Sequence, residues 1–277
     1  MANFKLTYTV KEVKPGSVNS ELGATNLKGK LNNDTIIKNI SFDQKEVLYN
    51  IMQLYNDGKP FECDITASSL KFYEPKKSDK YTIPEPKYLF DVYPQSDKVK
   101  KITPFNKIPL EDSSVGSIVV DLPFLVAPKK SPSMLKIDND GKSNIIANRF
   151  SSWYPYMEFY ENAYWWINEC NRVLKDGGTL VWKMQDTISA SIFHSFVEYS
   201  KLCAQDIGMY MIDEFFLLAK ARLISSGKYK KQQHARKYTS SFIVFKKDKK
   251  LGEKYNPMNI LQQCKENVYE GKVWEVK

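Results

Sequence analysis

The stretch Val115-Gly116-Ser117-Ile118-Val119-Val120-Asp121-Leu122-Pro123-Phe124 decides the fold. Gly116 to Asp121 is an apolar run that ends in a carboxylate, the pattern of a buried parallel strand delivering a functional residue at its C-terminal end. Downstream, Pro155 suits a first helical turn. Tyr156, Phe159, Tyr160, Ala163, Ile167, Cys170 and Leu174 then form one apolar stripe at a 3.6-residue period. Tyr164, Trp165 and Trp166 belong to the packing of this helix. Lys175-Asp176-Gly177-Gly178 stops it, and a strand over Thr179 to Met184 follows. A second helix over Ile188 to Ile207, stopped by Gly208, leads into a long strand from Met209 to Ala219. A basic loop, Arg222 to Lys237, connects that strand to a last one, Thr239 to Lys246. Strands alternating with helices predict a mainly parallel α/β sheet, and the loop joining the last two strands makes them an antiparallel hairpin.

Upstream, Ser41-Phe42-Asp43-Gln44 reads as a capping-box start. Val47, Leu48, Ile51, Leu54 and Tyr55 follow at helical spacing, with Gly58 as C-cap. Short strand-like pieces occur at Phe61 to Ile65 and Tyr88 to Val92. Residues 1–40 read as an N-terminal arm with one strand near Phe4 to Val10, residues 41–250 as the catalytic domain and residues 251–277 as a C-terminal tail. Leu125 to Ser152 has no helical or strand period, and a loop that long in a compact domain is usually functional or mobile.

Composition narrows the function. The 277 residues suffice for one large α/β domain or two small ones, with 42% hydrophobic and 26% charged residues. No apolar run approaches a membrane span, and no signal peptide is expected, which suits a cytoplasmic protein. The four cysteines form no CxxC pair and there are two histidines, which argues against zinc and against a disulfide framework. Net charge is +9. Between Ser225 and Lys250, Lys228, Lys230, Lys231, Arg236, Lys237, Lys246, Lys247, Lys249 and Lys250 face one acid, Asp248. Such a cluster attracts polyanions, although it also describes an ordinary solvated tail.

Asp121-Leu122-Pro123-Phe124 resembles the amino-methyltransferase motif (Asp/Asn/Ser)-Pro-Pro-(Tyr/Phe/Trp), with Leu122 replacing the first proline. Its run-up from Ile108 to Val120, including Asp112, resembles the lead-in of the same enzymes. Arg172-Val173-Leu174-Lys175-Asp176-Gly177-Gly178-Thr179-Leu180-Val181 resembles a signature of class I methyltransferases. Gln232-Gln233-His234-Ala235-Arg236-Lys237 before Ser241 to Phe245 is similar to the ending of a family of phage and low-GC bacterial DNA methyltransferases. The likeness spans roughly residues 41–250. It implies a Rossmann-like class I methyltransferase fold and S-adenosyl-L-methionine as cofactor. It also implies methylation of an exocyclic amino group of a DNA base, adenine N6 ahead of cytosine N4, in restriction-modification or phage self-protection. RNA offers the same amines.

An exocyclic amine conjugated to a base ring is a poor nucleophile, because its lone pair is delocalised. Acceptors for its N–H groups favour a more tetrahedral nitrogen. Asp121 offers a carboxylate and Leu122 its backbone carbonyl, which Pro123 restricts to extended geometry. Phe124 can stack on a base that has left the duplex. No metal is needed for this chemistry. The family's glycine-rich cofactor loop is absent, since no glycine occurs between residues 59 and 115. Asp64, Thr66 and Asp91 replace it as expected cofactor contacts, together with Asp112. Capping aspartates would read the same way. Lys183 and Gln185, at the end of a strand, and Lys230, Lys231, His234 and Arg236, in the basic loop, are the expected nucleic-acid contacts. Loops 125–152 and 222–237 would flank the nucleic acid. Leu122 and the missing glycines support the rival reading, a non-catalytic, methyltransferase-like nucleic-acid-binding protein or subunit.

Overall fold

The computed structural model describes residues 36–126, 151–153, 155–220 and 233–269. The strand expected near Phe4 to Val10 lies outside them. Eight strands form the central sheet: β1 (Ile40–Ser41), β2 (Cys63–Asp64), β3 (Tyr88–Asp91), β4 (Lys100–Lys101), β5 (Val115–Asp121), β8 (Leu174–Met184), β11 (Tyr210–Leu218) and β12 (Thr239–Lys246). Two small pairs lie outside it, β6 (Leu125–Val126) with β7 (Ser151–Trp153), and β9 (Thr187–Ser189) with β10 (Ile192–His194). The central order is β1-β11-β12-β8-β5-β2-β3-β4. Only β12 runs against the others, pairing antiparallel with both β11 and β8. The sheet is thus mainly parallel with a C-terminal antiparallel hairpin, as expected.

Side chains alternate across the sheet and build two cores. Ile118 and Val120 face one side with Leu180, Trp182 and Met184. They pack against α2 (Met157–Val173) and α3 (Phe196–Asp206) through Phe159, Trp166, Ile167, Phe196 and Ala204. Val119, Val181, Phe242 and Val244 face the other side, against Val47, Leu48 and Ile51 of α1 (Gln44–Tyr55). Of the three aromatics assigned to the packing of α2, Trp166 is buried, Trp165 half-buried and Tyr164 exposed, and Trp182 donates its indole N–H to Ser200 Oγ at 3.0 Å. Each such fully buried side chain contributes about 1.5–3 kcal/mol through its apolar area.

Further local expectations change. The N-cap of α1 is Asp43, which accepts from Lys45 N, while Ser41 sits in β1 and donates its hydroxyl to Glu46. Leu54, expected in the α1 stripe, is exposed. The segment from Thr187 to His194 is a hairpin, so the second helix is only Phe196–Asp206. Its turn puts Ala190 (φ 50°) and Ser191 (φ 63°) in the left-handed region, incompatible with a continuous helix. Finally, the ends of the expected loop Leu125 to Ser152 pair with each other as β6 and β7. The tail carries α4 (Lys249–Lys254) and α5 (Pro257–Tyr269).

The double glycine, expected to stop α2, lies inside β8: the helix ends at Val173, and Leu174, expected in its stripe, is already extended as the first residue of the strand. Gly177 has φ +74°, and a Cβ on Gly178 would lie 2.7 Å from the Lys175 carbonyl oxygen and 3.1 Å from that of Gly116. The chain bulges there, so that Val115 pairs with Leu174 but Ser117 with Thr179. That shift fixes the register of everything downstream, including Asp121 opposite Lys183.

Candidate active site at the carboxyl edge

From β2 the chain moves outward through β3 to β4, then returns to place β5 on the other flank of β2. Strand order therefore reverses between β2 and β5. In open α/β sheets a ligand crevice forms at the carboxyl ends of the strands at such a point. Asp64 closes β2, Asp91 closes β3 and Asp121 closes β5, so the topology brings three of the expected residues to one edge.

Asp121 is held at two points. Its backbone N–H donates to Thr66 Oγ1 at 2.7 Å, and its Oδ2 accepts from Lys183 Nζ at 2.7 Å. The carboxylate keeps 25% of its side-chain surface exposed, against 12% for the lysine. Leu122 turns into the core, while Phe124 packs against the core cluster and stays partly exposed. Next in the chain, the carbonyl of Val126 accepts from Ser189 Oγ at 2.7 Å, so the β9–β10 hairpin braces the segment after the motif. His194, which ends the hairpin, is buried among Tyr156, Tyr160 and Phe196, and burial lowers its pKa.

The loop after β2 reaches a tight conformation without glycine. Ser68 (φ 46°) and Leu70 (φ 61°) adopt the left-handed region that glycine takes at no steric cost. Side chains hold them there. Asp91 accepts from Ser68 N at 2.8 Å and from Tyr93 N at 2.6 Å, tying the loops after β2 and β3 together. Asp64 accepts from Thr66 N (2.7 Å), Thr66 Oγ1 (3.0 Å) and Tyr73 Oη (2.6 Å). Burial pushes the Asp64 carboxyl up to about 7, against the pull of the Tyr73 and Thr66 hydrogen bonds. Asp64 is sealed from solvent, and its hydrogen bonds shape the loop. Tyr73 escaped the sequence reading, because no periodic pattern marks it.

Asp112 does not join the site. It precedes β5, at the opposite edge of the sheet, and its carboxylate is 2.6 Å from Arg172 Nη1. Arg172 also binds Glu169 and the carbonyls of Ile108 and Leu110, so this signature arginine is a structural clasp. Gln185 is likewise turned inward. It is buried and its amide bonds the Lys237 carbonyl and the Ser240 hydroxyl, since a buried amide must satisfy its own polar atoms. Lys183 sits at the carboxyl edge, committed to Asp121 rather than to solvent. His234 and Arg236 are exposed on the approach to β12, and Lys237 lies 4.5 Å from the Phe193 ring centre. Lys230 and Lys231 lie outside the described residues, as do Lys129, Lys130, Lys136, Lys142 and Arg149. Among the described residues no cluster could hold a metal ion, and no helix is long and apolar enough to cross a membrane.

No curated protein sequence matches the chain. Among solved structures, TTHA0409 of Thermus thermophilus, provisionally assigned as a DNA modification methylase, is 13% identical with a TM-score of 0.31, over 50% of this chain and 47% of that one. The cytosine-N4-specific PvuII DNA methyltransferase is also 13% identical, with a TM-score of 0.32 over 51% and 45% of the two chains. A chain from the complex of the Haloferax volcanii Trm112 methyltransferase activator with a provisionally assigned methyltransferase is 12% identical, with a TM-score of 0.35 over 68% and 82%. The chain spans about half the length of the first two of these structures. The N6/N4 DNA methylase family model matches residues 115–277, from the first residue of β5 through the last of the chain. With more than half of its residues matched, the chain belongs to that family of S-adenosyl-L-methionine-dependent DNA methylases.

Proposed function

We propose that this chain methylates the exocyclic amino group of a DNA base, and that the base is adenine, at N6. The observation that carries the reading is Asp121, a partly exposed carboxylate at the carboxyl end of the buried strand β5, beside the point where strand order reverses. S-adenosyl-L-methionine, when bound, supplies the electrophilic methyl group. The residues at the edge fit such a ligand in one respect. Asp91 is a partly exposed carboxylate whose oxygens are oriented by two backbone N–H groups, suited to accept hydroxyl hydrogen bonds. Asp91 and the loop from Ile65 to Leu70 would hold it, with Asp64 and Thr66 acting behind them.

Asp121 accepts a hydrogen bond from the target amine, and the Leu122 carbonyl serves as second acceptor. Pro123 restricts Leu122 to extended backbone geometry, which aims that carbonyl. Phe124 offers a ring to the base once it leaves the stack. An aspartate in the first motif position favours adenine; serine there would favour cytosine. His234, Arg236, Lys230 and Lys231 would neutralise phosphates on the approach, contacts that position the nucleic acid without reading its sequence.

The test is incubation of the protein with methyl-labelled cofactor and unmethylated DNA, or RNA in parallel, followed by nucleoside mass spectrometry. N6-methyladenine in DNA is the expected product. N4-methylcytosine would move the assignment to the other amine of the family. Cofactor and DNA binding without any methylated nucleoside would mean a non-catalytic nucleic-acid-binding protein.

A further inference from the structure

We infer that Lys183 is a positioning residue for Asp121: it clamps one carboxylate oxygen so that the other alone is presented to the target amine. The inference rests on the proposed function above and goes beyond it. Asp121 and Lys183 face each other across the β5–β8 register, with Nζ 2.7 Å from Oδ2. Oδ1 accepts no hydrogen bond among the described residues, and the side chain is partly exposed. The carboxylate is therefore fixed by its backbone through Thr66 and by Oδ2 through Lys183, leaving Oδ1 as the oxygen for a substrate.

The lysine is itself fixed. Its ammonium lies 5.6 Å from the ring centres of both Phe72 and Phe242, so the head group is boxed between two aromatic faces and the carboxylate. Stability alone does not account for such a pair. Taking an ammonium out of water costs several kcal/mol, and a hydrophobic residue of similar volume is often neutral or better at a buried ion pair. At the carboxyl end of β5 the pair instead has a geometric effect. A terminal carboxylate with one locked oxygen cannot rotate to present a mixture of acceptors, and misplacement of a catalytic group by about 1 Å costs on the order of 100-fold in rate. The lysine also does not behave as a nucleic-acid phosphate contact, because its side chain is only 12% exposed and already paired.

Three variants test the assignment in the full-length protein: Lys183→Met, Lys183→Gln and Lys183→Arg. Methionine has nearly the same length and suits the Phe72–Phe242 sandwich. Glutamine keeps a donor without charge and stands in if the methionine protein melts below the assay temperature. The readouts are kcat and KM for a DNA substrate, S-adenosyl-L-methionine affinity by titration calorimetry, and DNA affinity at several salt concentrations. In Lys183→Met or Lys183→Gln, kcat should fall about 10- to 100-fold, with both affinities within about twofold of wild type. Lys183→Arg should recover much of the loss. An unchanged kcat would overturn the proposal. So would a weaker, less salt-dependent DNA complex with kcat intact, which would make Lys183 a phosphate contact. A wild-type protein that transfers no methyl group would overturn the underlying function and this proposal with it; an active wild type with an indifferent Lys183→Met would overturn the positioning role alone.

Discussion

Replacing Asp64 by asparagine should change how stability depends on pH while leaving the fold nearly intact. Asp64 is sealed under the loop after β2, and burial lifts its carboxyl from the ordinary 3.8 to about 7. Between those two values the folded protein keeps a proton that the unfolded chain has released. Raising pH through that window therefore favours the unfolded state. The stabilisation is fully present below about pH 4 and lost as pH rises through 7. A shift of about 3 units, net of the opposing pull of the Thr66 and Tyr73 hydrogen bonds, corresponds to about 4 kcal/mol. Asparagine does not titrate, and its carbonyl oxygen can still accept from Thr66, while the Tyr73 hydroxyl can rotate to accept from its amide. Urea unfolding of both proteins at pH 5, 6, 7 and 8 isolates this group, because every other titration cancels in the difference. The unfolding free energy of Asp64→Asn should rise relative to wild type across that range by about 2–4 kcal/mol. A difference that stays flat from pH 5 to 8 would show that Asp64 ionises normally inside the fold, held by its three donors.

Three other outcomes follow from the geometry. Asp121→Ala should abolish methyl transfer while leaving S-adenosyl-L-methionine affinity within a few-fold, as titration calorimetry would read; an active variant removes the catalytic motif from Asp121. Ser68→Gly relieves a left-handed serine (φ 46°) and should raise the urea midpoint, by up to about 1 kcal/mol in stability; a drop would mean that the serine side chain stabilises the loop by more than its backbone strain costs. Gly252→Ala would put a Cβ 2.1 Å from the Gly208 carbonyl oxygen, and should cost about 1–3 kcal/mol in thermal or urea unfolding. Because that contact lies at the amino edge of the sheet, kcat per folded molecule should not move.

Those parts of the fold that repeat with a period were readable in the chain. The apolar run before Asp121 and the α2 stripe each bury one face, so their residue types reveal their geometry, whereas the expected glycine stop misplaced the end of α2, which comes at Val173, before the glycines. The β9–β10 hairpin was not readable. Ile188, Ile192, Phe196 and Val197 are spaced as on a helix, and only the left-handed turn at Ala190 and Ser191 breaks the pattern, with no glycine to announce it. The site was half legible for a related reason. Strand-end aspartates are visible as letters, but whether each carboxylate faces solvent depends on long-range partners. Asp64 is covered by Tyr73, Asp112 is taken by Arg172, and Asp91 stays at the edge. Lys183 meets Asp121 across 62 positions of sequence, a pairing set by the bulge at Gly178. One residue of slip would turn Lys183 to the other face of the sheet.

The absence of glycine after β2 carries a different meaning once this network is considered. In a sequence, a missing glycine loop suggests that the backbone cannot turn sharply enough for a ligand to approach. Here Ser68 and Leu70 make the left-handed turns themselves, at a cost of about 1–2 kcal/mol each for residues with a Cβ. A glycine loop would avoid that cost but leave the unfolded chain freer and the folded loop looser. In this chain the cost is offset by Asp91 accepting from Ser68 N, by Asp64 accepting twice from Thr66, and by Tyr73 over Asp64. Since Thr66 Oγ1 also accepts from the Asp121 backbone, the same bonds that replace the glycines join the loop after β2 to the end of β5. Strained turns persist only where the surroundings over-determine them. The substitution of glycines by side-chain bonds therefore exchanges a permissive loop for one whose shape and the position of Asp121 depend on each other.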